Sequence, residues 1–210
     1  MSKERSIITL PLDGGALCFH FINTVNAWKG IAFREYDYLP DYGELIKWCE
    51  KVNILSDKTR KALGAFALKN EEAAHTALQK LKRIREMLYH FFSSVAADNG
   101  RSMDPALLER FNKTLAAALS YLRFDISPEG IVNNIQEDTA DLLTPLRIIM
   151  KSAYDILTTE DHVKIKECEN CGWIFLDLTK NNKKRWCSPM TCGSVDKAKR
   201  YYKRKKINDA

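Results

Sequence analysis

The chain has 210 residues, enough for one medium domain plus a small module, and its 45% hydrophobic and 29% charged residues are ordinary for a globular protein with a buried core. No apolar run reaches the ~18 residues of a membrane span, and MSKERSIITLPLDGG lacks a secretory apolar stretch, so a cytoplasmic location with reduced thiols and no membrane partner is expected. The formal charge of +6 is lopsided: residues 162–210 hold 13 Lys and Arg against 5 Asp and Glu, and the first 161 hold 20 against 22, which points the basic end toward a polyanion, nucleic acid first.

The predicted elements are mostly helical. Residues 16–28 place Leu17, Phe21, Val25 and Trp28 on one helical stripe. Asp41, with Glu44 three residues on, opens a short helix with Tyr42, Leu45, Ile46 and Cys49 facing inward. Ser56 caps the next helix. A long helix over about 71–97 buries Leu78, Leu81, Ile84, Leu88, Phe91, Phe92 and Val95. Asp104 and Pro105 start another, continued by Leu108, Phe111, Leu115 and Leu119. The period then changes, and YLRFDI and IVNNI flank SPEG as a β-hairpin turning at 127–130. A helix over about 139–158 buries Leu143, Leu146, Met150, Ala153 and Leu157, and TTEDH at 158–162 reads as a hinge into a basic module. The fold class is therefore mostly α with a small β-hairpin: a helical domain over 1–160, then a small basic module over 161–210.

That module holds Cys168-x2-Cys171-x15-Cys187-x4-Cys192, which makes it a treble-clef-like four-cysteine zinc finger. Two close pairs about 15 residues apart is the spacing of a tetrahedral zinc site, each pair turning two thiolates toward one point. WIFLD at 173–177 has strand character, NNKK at 181–184 can turn, and the last pair opens a helix near Val195. The module's apolar residues are chiefly Trp173, Ile174, Phe175, Leu176, Trp186 and Tyr202, too few to fold alone, so one Zn²⁺ is the natural staple. Two disulfides fit a reducing compartment poorly, and a redox Cys-x-x-Cys needs a βαβ context that is missing. Four thiolates close the coordination shell, making the metal structural; His162 is only a spare candidate. Cys18 and Cys49 fall on apolar faces and read as buried free thiols.

GSVDKAKRYYKRKK follows the last ligand. Ser194 can cap this helix, Asp196 suits its positive end, and Val195, Ala198 and Tyr202 share a face expected to pack on the finger. Lys197, Lys199, Arg200, Lys203 and Arg204 fan over the rest, with Lys183, Lys184 and Arg185 adding charge from the turn. These eight are the candidate nucleic-acid contacts, mostly to phosphate, which positions without specifying.

The module resembles the CGNR zinc finger, whose pattern C-x2-C, F-x-D-x-S/T, Asn, R-W-C and C-G-N-R appears here as CENC, FLDLT, NN, RWC and CGSV. GGALCFHFINTVN, DYGELIKWCEKVNIL and LKRIREML resemble the ABATE domain that accompanies that finger. The resemblance implies a stress-related bacterial transcription regulator with a DNA-binding finger and a sensing N-terminal domain. Ser194 and Val195 depart from the family's Asn and Arg, removing a cation beside the zinc site, and His20 stands where the family usually has an acid.

In the N-terminal region His20, Asn23 and Arg85 are the candidate pocket for a small ligand; the alternative has Asn23 capping or bridging backbone, Arg85 paired with an acid and His20 at the core edge. No nucleophile with an adjacent base, phosphate loop or carboxylate pair stands out, so an enzyme is not expected. The functional expectation is a zinc-dependent DNA-binding transcription regulator whose larger domain senses a ligand or self-associates. Its rivals are an adaptor with a purely structural finger and an RNA-associated factor. A single small finger reads few base pairs, so a homodimer is expected if binding is specific.

Overall fold

In the computed structural model, which describes residues 5–30, 36–128 and 130–208, helix starts follow the capping residues. Asp41 accepts from the Glu44 amide at the start of α2 (Tyr42–Lys51), Ser56 from Thr59 before α3 (Asp57–Lys69), and Asp104 from Ala106 before α5 (Pro105–Leu119). Between them runs α4 (Glu71–Asp98), stopped by Asn99 in the left-handed region. Its inward stripe is buried, with Phe91 stacked on Phe111 at 3.9 Å and Phe92 edge-on to Phe19 at 4.9 Å. In α5 the buried face is Leu107, Phe111 and Ala118, and Leu108 turns outward. Strands β1 (Leu122–Ser127) and β2 (Gly130–Ile135) form the expected antiparallel hairpin, with Leu122 opposite Ile135.

Two helices are shorter than their apolar spacing suggests. Helix α1 covers only Leu17–Ile22. Asn23 leaves it, the Thr24 hydroxyl donates back to the Phe21 carbonyl, and the chain extends so that Val25 bridges to Asp37. Polar side chains that offer the backbone other partners end the helix early. Val25 and Trp28 are still buried, though not on a helix. Helix α6 runs Thr144–Thr159 rather than starting at 139, because Asp138 and Asp141 accept from the Ala140 and Leu143 amides in turns.

The segment expected to be a hinge is fastened. The His162 ring bonds the Asn99 side chain at 3.1 Å and the Leu157 carbonyl at 2.9 Å, at the start of a 3₁₀ turn over His162–Lys164. Strand β3 (Ile165–Glu167), unrecognised in the sequence, follows and pairs antiparallel with β4 (Ile174–Leu176). This hairpin packs on α4, and Ile165, Ile174, Phe175 and Leu176 join the same core as Phe19, Trp48, Leu88 and Phe92. Trp173, Ile174, Phe175 and Leu176 of the cysteine-rich segment are thus buried against the helices. Gly14 makes the approach feasible: its carbonyl accepts from the Leu176 amide at 2.9 Å, and a Cβ there would lie 2.8 Å from that of Phe19.

Candidate metal centre and nucleic-acid interface

The first cysteine pair sits in the turn of the β3–β4 hairpin. Cys168 donates from its amide to Trp173 and accepts from Gly172, closing a tight knuckle in which Gly172 has φ +78°. A side chain at 172 would press within 3.0 Å of the Trp28 Cβ, so glycine is required twice over. The second pair is brought back by a loop whose anchor is Asp177. Fully buried, its carboxylate accepts from the Thr179 amide and hydroxyl and from the Lys184 amide, which explains the F-x-D-x-T spacing. Burial alone would raise this carboxyl, but those hydrogen bonds hold it below the usual carboxylate range.

Cys187 precedes, and Cys192 lies within, a π-helical turn over Pro189–Gly193 that runs straight into α7 (Ser194–Asn208). The four ligand atoms lie within 4.8 Å of one another, and Cys171–Cys187 and Cys187–Cys192 are each 3.7 Å apart, sulfur to sulfur. A tetrahedron with Zn–S bonds of ~2.3 Å has edges of about 3.8 Å, so the set fits one zinc ion with no ligand missing. A metal there requires all four as thiolates. His162 is bound elsewhere and stays out of the cluster. Cys18 and Cys49 are buried and free, and burial pushes the Cys18 thiol up to about 12.

The candidate contact residues are arranged around this centre. Lys183, Arg185, Lys197, Lys199, Arg200 and Arg204 are exposed, whereas the side chain of Lys203 lies outside the described residues. Three carry local partners: Arg185 pairs with Glu169, Arg200 with Asp196 at 2.8 Å, and Lys199 donates to Asn170 at 3.0 Å. Lys184 is half-buried with its ammonium 4.9 Å from the Phe175 ring centroid. Two expectations for the helix are corrected. Ser194 is its first residue and not a cap, since the turn before it is already helical and the Gly193 amide is bonded to Ser188. The face of Val195, Ala198 and Tyr202 does not pack on the finger; Val195 is 43% and Tyr202 66% exposed. Helix α7 projects from the metal-held turn, with Tyr201 and Lys205 also exposed among its cations. Both were passed over in the sequence.

Of His20, Asn23 and Arg85, the last two are taken up by protein partners. The Asn23 side chain donates to the Ile174 carbonyl at 2.8 Å and accepts from its amide at 3.1 Å, serving the edge of β4 like a third strand. Arg85 grips Asp37 through both amino groups, at 3.0 and 2.7 Å, and also bonds the Thr24 hydroxyl at 2.7 Å. Burial would raise the Asp37 carboxyl, but Arg85, helped by Lys82, outweighs it and holds it low. This fixes the segment around Asp37 and Thr24 on α4. The neighbouring Trp28 stacks on Tyr89 at 4.2 Å, and the Trp28 amide donates to the carbonyl of the zinc ligand Cys171 at 2.7 Å. Trp173 reciprocates, its indole donating to Val25. Asn23 therefore joins the helical part to the finger directly, and Arg85 holds in place the segment that leads to Trp28. His20 is partly buried with Nδ1 unpartnered, and burial, then Lys51, lowers it to about 4.

A model of the ABATE family, described as "Putative stress-induced transcription regulator", matches residues 15–160, and one of the CGNR zinc finger matches residues 164–205. No curated protein matches the chain. Among the described residues no helix is long and apolar enough to cross a membrane.

Proposed function

The chain belongs to the ABATE family and carries a CGNR zinc finger, and from that premise we propose that it is a zinc-dependent DNA-binding transcription regulator acting in the cytoplasm. One observation supports this above the rest: a cationic helix rooted in a four-thiolate centre and exposed on the face once expected to pack. A rigid base lowers the entropy lost when such a helix settles on phosphates. Lys183, Lys197 and Arg204, exposed and without an ion pair among the described residues, are the strongest candidates for those contacts. The helical region is read as the part that senses a ligand or self-associates, with no catalytic role. Tyr201 and Tyr202, both about two-thirds exposed, add a second reading in which bases of a single strand stack on the helix.

The test is a salt titration of the zinc-loaded chain on mixed-sequence duplex DNA and on single-stranded RNA, beside a Lys197→Ala, Arg204→Ala variant. Log affinity for the duplex is expected to fall with log salt by ~0.9 per phosphate contact, and the double variant to lose about two such units. Stronger binding to the single strand, lost on Tyr201→Ala, favours the RNA reading. No binding of either nucleic acid at low salt removes both and leaves the protein-interaction adaptor.

A further inference from the structure

Helices α4, α5 and α6 enclose a cleft of about 340 Å³ far along α4 from the knuckle, within the ~300–1,000 Å³ range of small-molecule sites. Its lining includes three cations, Lys80, Lys113 and Arg147, and no carboxylate. Lys80 and Lys113 are exposed, and neither forms an ion pair among the described residues. Arg147 is different: its side chain is only 9% exposed. Its guanidinium carbon lies 3.5 Å from the centroid of the Tyr121 ring, and Nη2 is taken by Asp141. Nη1 is buried with no hydrogen-bond partner.

A buried cationic N–H without an acceptor is costly, and the Tyr121 ring face offsets only part of that cost, so an acceptor brought to this wall of the cleft is favoured. Arg147 also stands in the first turn of α6, at the positive end of that helix dipole, so that acceptor is favoured as an anion. The cleft is not a bare anion trap, because Ile84, Leu146 and Met150 supply an apolar wall. One Arg147 charge is balanced by Asp141, and two lysine charges remain for a single acidic head. We propose that this cleft binds a small monocarboxylate with an aromatic or short aliphatic body, its head between Arg147 and the two lysines. The proposal deepens the sensing half of the function above: it moves the ligand site from His20, Asn23 and Arg85, two of which are occupied by protein, to the α4–α5–α6 cleft.

The experiment uses the full zinc-loaded chain with benzoate as probe and benzamide as its neutral isostere, followed by isothermal titration. Benzoate is expected to bind saturably and benzamide at least about tenfold more weakly, the loss of one charge-assisted hydrogen bond. Lys113→Gln and Lys80→Gln, exposed and harmless to the fold, are each expected to weaken benzoate several-fold with the unliganded Tm unchanged. Arg147→Gln is expected to abolish binding. Equal affinity for the two probes, no binding of benzoate, or lysine variants that match the parent would each overturn the proposal. Duplex affinity is measured in parallel with and without benzoate. If benzoate binds but duplex affinity does not respond, the site stands and the sensing role falls; if the duplex never binds, only the DNA reading falls.

Discussion

Replacing Asn23 with alanine is the sharpest test of how the helical region holds the finger. The side chain is 2% exposed and makes two hydrogen bonds to one residue, Ile174, which is itself fully buried. Antiparallel pairing alternates, so a residue whose amide and carbonyl point away from its partner strand must find acceptors and donors elsewhere. Alanine leaves both Ile174 groups orphaned without room for bulk water. At about 1–3 kcal/mol for each of the two unsatisfied groups, the loss is about 2–6 kcal/mol. That is a large part of the ~5–15 kcal/mol that holds a domain folded. For a chain of this size, at about 2–4 °C per kcal/mol, Tm should fall by roughly 4–24 °C, read by circular dichroism with zinc in excess. Asn23→Asp should be nearly as harmful, since it keeps an acceptor but loses the donor. A Tm within a degree or so of the parent would refute the bridging role and return Asn23 to the list of ligand-pocket residues.

The metal should matter to the helical region too: Cys168→Ser, or a chelator, is expected to lower helical signal and Tm together, because the β3–β4 hairpin shares the core; a folded, stable apo-chain would count against that. The carboxyl of Asp37 is held below its ordinary value of 3.8, so its stabilisation is complete above that pH and drains away as pH falls through the lower folded-state value. Asp37→Asn should therefore cost stability at neutral pH and flatten the acid limb of the Tm–pH curve; an unchanged limb assigns acid loss to other groups. Gly172→Ala should destabilise strongly through its φ of +78° and its contact with Trp28, whereas Gly130→Ala, with open space around it, should suffer only the backbone strain of its φ of +121°.

What was legible in the sequence followed local chemistry. Capping residues at Asp41, Ser56 and Asp104 interact with amides two or three residues away, and the cysteine spacing encodes one tetrahedron, so both could be read without the fold. The misread elements depend on partners far along the chain. The stripe Leu17, Phe21, Val25 and Trp28 is apolar at helical spacing, yet Asn23 leaves the helix to bond Ile174, 151 residues on. Strand β3 has only three residues and becomes a strand by pairing with β4. The face of Val195, Ala198 and Tyr202 fits packing by periodicity, but nothing among the described residues covers it, and periodicity records only which residues share a face. Arg147 gave no signal at all; its burial arises only when α6 meets Tyr121, and its isolation only when Asp141 satisfies one amino group and not the other.

These long-range contacts converge on α4. Lys80 and Ile84 line the cationic cleft, Arg85 holds the segment around Asp37, and Tyr89 and Ser93 reach Trp28 and Glu167 beside the knuckle. Lys80 to Ser93 covers about 20 Å of continuous helix. An interior glycine or a proline kink would let the two ends move independently, but α4 is unbroken over its 28 residues and contains neither glycine nor proline. On the proposed reading, a shift of α4 against α5 and α6 would be carried to the platform on which Trp28 and the Cys171 carbonyl meet. The finger has no separate core in which to absorb such a movement, since its hairpin is buried in the same one. Helix α7 continues from the turn that holds Cys192, and Cys171 rests on that platform, so the proposed path from the cleft to the basic helix consists of one unbroken helix and one clamped segment.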